Sequence, residues 1–166
     1  MASWTNLINA LFLVGKPITS SQGLALRDNV IAQGQADPSV PLDQLPTVFL
    51  GQIATTSGST QTFSGLVLTP YRFLRFTLAG VSSTSTPDLQ LGGVTVGNGL
   101  ATASDTWTGT ITLDLANGVA TGMLYGAGAN LIRAGITSYT NASTSVAFSI
   151  LSGTFDAGTI RIYGEK

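Results

Sequence analysis

The chain contains no cysteine and no histidine. The first absence excludes disulfides, thiolate metal sites and a cysteine nucleophile. The second removes imidazole ligands and the Ser-His-Asp triad. Charge is scarce as well: Asp, Glu, Lys and Arg make up 9% of the 166 residues, against roughly 25% in an average soluble domain. The basic residues, seven in all, are scattered, and the net charge is −1. No concentrated positive field exists for phosphate contacts, which speaks against nucleic-acid binding. The apolar stretch Leu11 to Val14, with Leu7 and Ile8 upstream, falls far short of the roughly 20 residues that a membrane helix needs. It also lacks a basic flank and a small-residue cleavage site, so no signal peptide is expected and no membrane insertion.

With so few charges, the polar surface must be built from Ser, Thr, Asn, Gln and Gly. Such a surface suits contact with identical neighbours or with sugars, because few charges would have to be desolvated. A near-zero net charge gives little protection against self-association. A closed oligomer answers that problem better than a monomer.

The sequence changes character near Pro46, and four of its six prolines lie between residues 17 and 46. Ser3 is placed to cap a short helix over residues 4–13, ended by Gly15 and Pro17. Thr19, Ser20 or Ser21 is placed to cap a second helix running to about Gln33, with Gly34 as its stop. A proline-rich connector follows, so residues 1–46 read as a helical and extended N-terminal arm.

From Thr47 onward the hydrophobic period is two. In the segment 106–115, Trp107, Ile111, Leu113 and Leu115 share one face, while Thr106, Thr108, Thr110, Thr112 and Asp114 share the other. That is the pattern of a half-buried antiparallel strand, and Asn117-Gly118 behind it signals a hairpin to residues 120–125. Leu74, Phe76 and Leu78 alternate with Phe73, Arg75 and Thr77; Val146, Phe148 and Ile150 repeat the pattern; Ile160 and Ile162 oppose Arg161 and Tyr163. Weaker strands fit 47–55, 59–68, 88–96 and 131–139, with a turn over 82–87. Eight or nine short strands without a helix predict a jelly-roll-like antiparallel β-sandwich over residues 47–166, with Trp107, Phe76, Phe148 and Ile162 between its sheets.

Two sets of residues carry a resemblance. The first is Val14-Gly15-Lys16-Pro17-Ile18, followed by Leu24-Ala25-Leu26-Arg27-Asp28-Asn29 and Ile31-Ala32. The second is Tyr71 to Gly80, Asp88-Leu89-Gln90-Leu91, and Gly153-Thr154-Phe155 with Ala157-Gly158-Thr159-Ile160-Arg161-Ile162-Tyr163-Gly164. Together they resemble small tailed-bacteriophage virion structural proteins of the fibre or tail-associated type. The chain departs from that pattern at Val30, where Pro is expected, and between Leu91 and Trp107, where Asp and Tyr are few. The resemblance implies a virion component made in the host cytoplasm. It implies a homotrimer, with an arm that docks on other virion proteins and a β-domain that faces outward. A tail or fibre module touching the host surface is the first reading; a head-associated decoration or head-fibre protein is the alternative. No catalytic residue, cofactor or metal is implied.

Candidate residues follow from these readings. In the arm, Leu24, Leu26, Arg27, Asp28, Val30 and Ile31 are the docking or oligomer contacts. On the β-domain, Phe73 and Tyr125 are the aromatics placed to meet a host-surface glycan, whereas the alternation assigns Trp107 to the core. An enzyme would need two carboxylates across a cleft, and Asp88, Asp105 and Asp114 are the ones to consider. Asp88, Asp105 and Asp156 are the corresponding loop carboxylates for Ca²⁺, without the clustered spacing such a site uses. Asn141-Ala142-Ser143 matches the N-glycosylation pattern and reads as an accident of a Thr/Ser/Asn-rich loop.

Overall fold

A computed structural model describes residues 19–34, 47–97, 102–103, 105–126 and 129–166. The chain divides into two units, Met1–Pro46 and Thr47–Lys166. In the first, helix α1 spans Ser20–Gly34. Its N-cap is Thr19, one of the three residues placed to serve. The Gln22 N–H donates to Thr19 Oγ1 at 3.3 Å, and the Thr19 N–H donates to Gln22 Oε1 at 2.7 Å. This reciprocal pair is a capping box, which satisfies two backbone donors at the helix start. The expected helix over residues 4–13 and the proline-rich connector lie outside the described residues.

Among the described residues the second unit holds ten strands: β1 Thr47–Ala54, β2 Thr60–Ser64, β3 Phe73–Ser83, β4 Leu89–Leu91, β5 Val94–Gly97, β6 Trp107–Asp114, β7 Val119–Gly126, β8 Ala129–Ile136, β9 Ser145–Ile150 and β10 Phe155–Glu165. They form a six-stranded sheet of order β1-β10-β3-β6-β7-β8 and a four-stranded sheet of order β2-β9-β4-β5. The antiparallel pairs nest inside one another. The β4–β5 hairpin is innermost, followed outward by β3 with β6, β2 with β9 and β1 with β10. This is one long hairpin rolled so that successive pairs fall alternately into two sheets, the connectivity of a jelly roll. The β7–β8 hairpin is an insertion that widens the larger sheet.

The alternating residues meet between the sheets. Phe76 from the large sheet packs edge-on against Phe148 of the small one, ring centroids 5.1 Å apart, and lies 6.4 Å from Phe63. Trp107, Ile111, Leu113, Ile160 and Ile162 are buried beside them. The opposite face of β6, carrying Thr108, Thr110, Thr112 and Asp114, is left partly or fully exposed, as its period of two requires.

Two expectations need correction. The segment 88–96 is not one strand but the β4–β5 hairpin, folded at Gly92 and Gly93 with φ of 58° and 81°. Two consecutive positive φ values are the demand of a tight hairpin turn, and glycine meets it without steric cost. The Tyr139 ring covers this turn from outside, its hydroxyl oxygen accepting the Ala147 N–H at 2.8 Å. The turn expected over 82–87 begins later, because β3 continues through Ser83. Gly80, at φ 60°, bulges the strand and lets its pairing with β10 and β6 resume beyond the shift.

Candidate functional site

The outward face of the six-stranded sheet is where side chains with binding chemistry collect. Antiparallel pairing sets them in rows. One row runs Phe49 on β1, Tyr163 on β10, Arg75 on β3 and Thr112 on β6. The next row places Glu165 beside Phe73 and Phe73 beside Asp114. A further row places Gln52 beside Arg161 and Arg161 beside Thr77.

Within these rows the contacts are specific. The Phe49 and Tyr163 rings sit 5.5 Å apart with their planes tilted by 58°. The Arg75 guanidinium lies 4.9 Å from the Tyr163 ring centre, and its Nε donates to Glu165 Oε1 at 2.5 Å. Arg72 lies over the Phe73 ring at 5.0 Å. Arg161 Nε donates to Gln52 Oε1 at 2.8 Å. Cation–π contacts at partly exposed sites contribute about 0.5–1 kcal/mol each, and their effect here is to hold the rings still. Phe49 nevertheless keeps 56% of its surface exposed.

Phe73 and Tyr125 do share this face, but they do not form one site. Phe73 pairs with Asp114 and Tyr125 with Thr108, six residues apart along β6, which is about 20 Å of strand. Phe73 is half-buried under Arg72, whereas Tyr125 is exposed and donates its hydroxyl to Met123 Sδ at 3.1 Å. The row of Phe49, Tyr163 and Arg75 was not singled out by sequence. Its visible signals are the outward phases of Arg75 and of Arg161 and Tyr163; which of them meet across the sheet comes from register.

In α1, Leu24 and Leu26 are exposed, and Arg27 pairs with its neighbour Asp28 at 2.6 Å. Such a surface pair contributes about 0–1 kcal/mol. Val30 and Ile31 lie on the same helix, and their side chains fall outside the described residues.

Three of the carboxylates considered for chemistry are engaged in local structure. Asp114 accepts Asn117 Nδ2 at 2.7 Å, the Ala116 N–H at 2.9 Å and the Asn117 N–H at 3.3 Å, closing the β6–β7 turn. The Asn117 side-chain bond, chiefly, holds its pKa below the ordinary 3.8; desolvation opposes this, and the two backbone bonds and the Arg72 charge add to it. Asp105 accepts the Thr102 N–H at 2.8 Å. Asp156 accepts the Ser82 hydroxyl across β10 and β3. Among the described residues no three His, Cys, Asp or Glu side chains gather into a group that could hold a metal ion. Among them, too, no helix is long and apolar enough to cross a membrane.

No protein-family model, no curated protein and no solved structure matches the chain.

Proposed function

We propose that this protein is a non-enzymatic structural component of a tailed-phage virion. In this reading the arm over residues 1–46 attaches to the particle as part of a homotrimer, and the jelly roll over 47–166 is a tail- or fibre-associated module that touches the host surface. The observation that carries the reading is the outward face of the six-stranded sheet. It presents an aromatic row, with Phe49 exposed, whose neighbouring arginines are already hydrogen-bonded, Arg75 to Glu165 and Arg161 to the neutral Gln52, on a domain that includes both the Tyr71 to Gly80 segment and the terminal strand of the virion-protein resemblance. A face of that kind favours surface contact over chemistry. The absence of His and Cys and the structural engagement of Asp105, Asp114 and Asp156 favour a non-catalytic role. Fold alone would not, since jelly rolls host many functions.

Immunogold electron microscopy of intact phage, with antibody against residues 47–166, tests the reading. Gold on the tail tip or fibres is the expected result. Gold distributed over the capsid would replace it with a decoration or head-fibre role, and purified particles free of gold would end the virion assignment altogether. Light scattering of the purified chain across micromolar concentrations tests the trimer, and a clean monomer would refute it.

A further inference from the structure

We infer that the β1–β10–β3 corner of the large sheet's outward face is a binding platform for neutral carbohydrate, with Phe49 as its stacking surface. The inference deepens the host-contact reading and rests on it for the source of the sugar. The platform itself is a property of the isolated domain.

Phe49 sits on β1, an edge strand of its sheet, and is more than half exposed. Only the part of the ring that Tyr163 and the strand cover contributes to folding; the exposed remainder becomes favourable when something apolar covers it. Its position is fixed from the side. Tyr163 abuts it at 5.5 Å, Tyr163 is held by the Arg75 guanidinium at 4.9 Å, and Arg75 is held by Glu165 at 2.5 Å. A ligand meeting this row would lose little to the ordering of side chains, since the order already exists.

The chemistry of the rim selects the ligand. Arg75 carries five N–H donors and a carboxylate offers about four lone-pair sites, and their ion pair is made through Nε and Oε1. The Arg75 η nitrogens and Glu165 Oε2 therefore remain for hydroxyl groups. On the other side of Tyr163 along β10, Arg161 and Gln52 are joined through Nε and Oε1, leaving the Arg161 η nitrogens and the Gln52 amide nitrogen. Each rim thus offers both sign and direction for hydrogen bonds, flanking an apolar plate. A sugar ring has the matching anatomy, with a C–H face to lay on the phenyl and equatorial hydroxyls around its edge.

Charge complementarity sets the rest. Arg75 is neutralised by Glu165 and Asp114 offsets Arg72; Arg161, bonded to the neutral Gln52 amide, keeps its charge, so an acidic ligand finds one lone cation and no concentrated positive field. A neutral hexose polymer loses least on desolvation. The row from Phe49 to Arg75 crosses two strand spacings, about 10 Å, which accommodates a disaccharide along the row.

The test is a printed array of neutral hexose oligosaccharides beside sialylated, uronic-acid and phosphorylated glycans, probed with the full chain. Binding is expected on neutral glycans, insensitive to salt between 50 and 500 mM (~0.05–0.5 M, a range over which the screening length falls severalfold). Phe49→Ala should weaken it at least about tenfold with only a small fall in melting temperature, since more than half of the side chain is exposed and its ring contact is the half-buried Tyr163. Phe49→Trp should retain it, and Val67→Ala, an exposed apolar residue off the sheet, should leave it as it was. Gln52→Ala gives a second reading if Phe49→Ala fails to fold, with a smaller expected loss. Silence on all neutral glycans, salt-sensitive binding to acidic glycans alone, or full binding by Phe49→Ala would each overturn the inference. So would a change of oligomeric state on Phe49→Ala, which would make the row a contact between copies. These outcomes concern the platform alone; gold labelling of the particle decides the virion reading separately.

Discussion

Gly164→Ala is the substitution whose cost the structure fixes most tightly. Gly164 lies in β10 between Val48 of β1 and Leu74 of β3, so its backbone is held by ladders on both sides. A Cβ there would stand 2.6 Å from Tyr71 Cγ and 2.7 Å from both Cδ atoms. Carbon atoms prefer about 3.5–4.0 Å, so the methyl would intrude by about 1 Å onto the face of the ring. Tyr71 is only 5% exposed, and its own N–H is bonded to the Leu68 carbonyl at 3.0 Å. Neither partner can withdraw freely. Overpacking of this kind costs about 1–3 kcal/mol, which for a domain of this size lowers Tm by roughly 4–15 °C. The assay is a double-mutant cycle in urea. Tyr71→Ala alone should cost about 3–5 kcal/mol, by analogy with other buried aromatics. In that background Gly164→Ala should become nearly neutral, giving a coupling of at least about 1 kcal/mol between two residues in contact. An unchanged midpoint for Gly164→Ala, or the same loss with and without the Tyr71 ring, would refute the reasoning.

Phe76→Ala, which removes the ring between Phe63 and Phe148, should destabilise the domain by about 3–5 kcal/mol by chemical denaturation; a loss under about 1 kcal/mol would mean the two sheets do not share this core. Asp114 has its pKa depressed in the folded state, so its contribution is present above the ordinary 3.8 and disappears as pH falls through the lower folded value. Asp114→Asn should therefore melt below wild type at pH 7, and the difference should close below pH 3.8; a difference constant down to about pH 2 would assign the effect to something other than the carboxylate. Thr19→Ala removes the capping box and should cost α1 about 1 kcal/mol, read as a roughly fivefold loss of amide protection within Ser20–Gly34; equal protection would show that the cap is dispensable.

The parts of the fold that could be read in advance are those decided by local alternation. β6 is the clearest: every second residue from Trp107 to Leu115, Gly109 apart, is large and apolar, and each of these is buried. The β6–β7 hairpin was equally plain, because Asn117-Gly118 permits a positive φ that few other pairs tolerate, and Gly118 has φ 64°. Gly92-Gly93 carries the same signal: the apolar residues are Leu89 and Leu91 before it and Val94 and Val96 after it, so their phase inverts at the two glycines and a single strand over 88–96 does not fit. What could not be read is pairing between distant segments. Phe49 meets Tyr163 across 114 positions of sequence, a distance fixed by the rolled topology and by the bulge at residues 49–51 of β1. For the same reason the outward phase of Phe73 is legible in its strand, while the row that joins aromatics to a hydrogen-bonding rim is not.

β10 is the last of the ten strands to be synthesised, yet it occupies the second place in the large sheet, between β1 and β3. During translation those two strands are made with a gap between them that only residues 155–165 can fill. Roughly a hundred residues separate β1 from β10, or about 5–20 s of elongation at about 5–20 residues per second. For that interval β1, with Phe49 on it, is an unpaired edge on a nascent chain carrying almost no repelling charge. The domain therefore cannot ripen from its N-terminus while being made. Slowing the ribosome lengthens the interval in which β1 lacks β10 and should cost soluble protein.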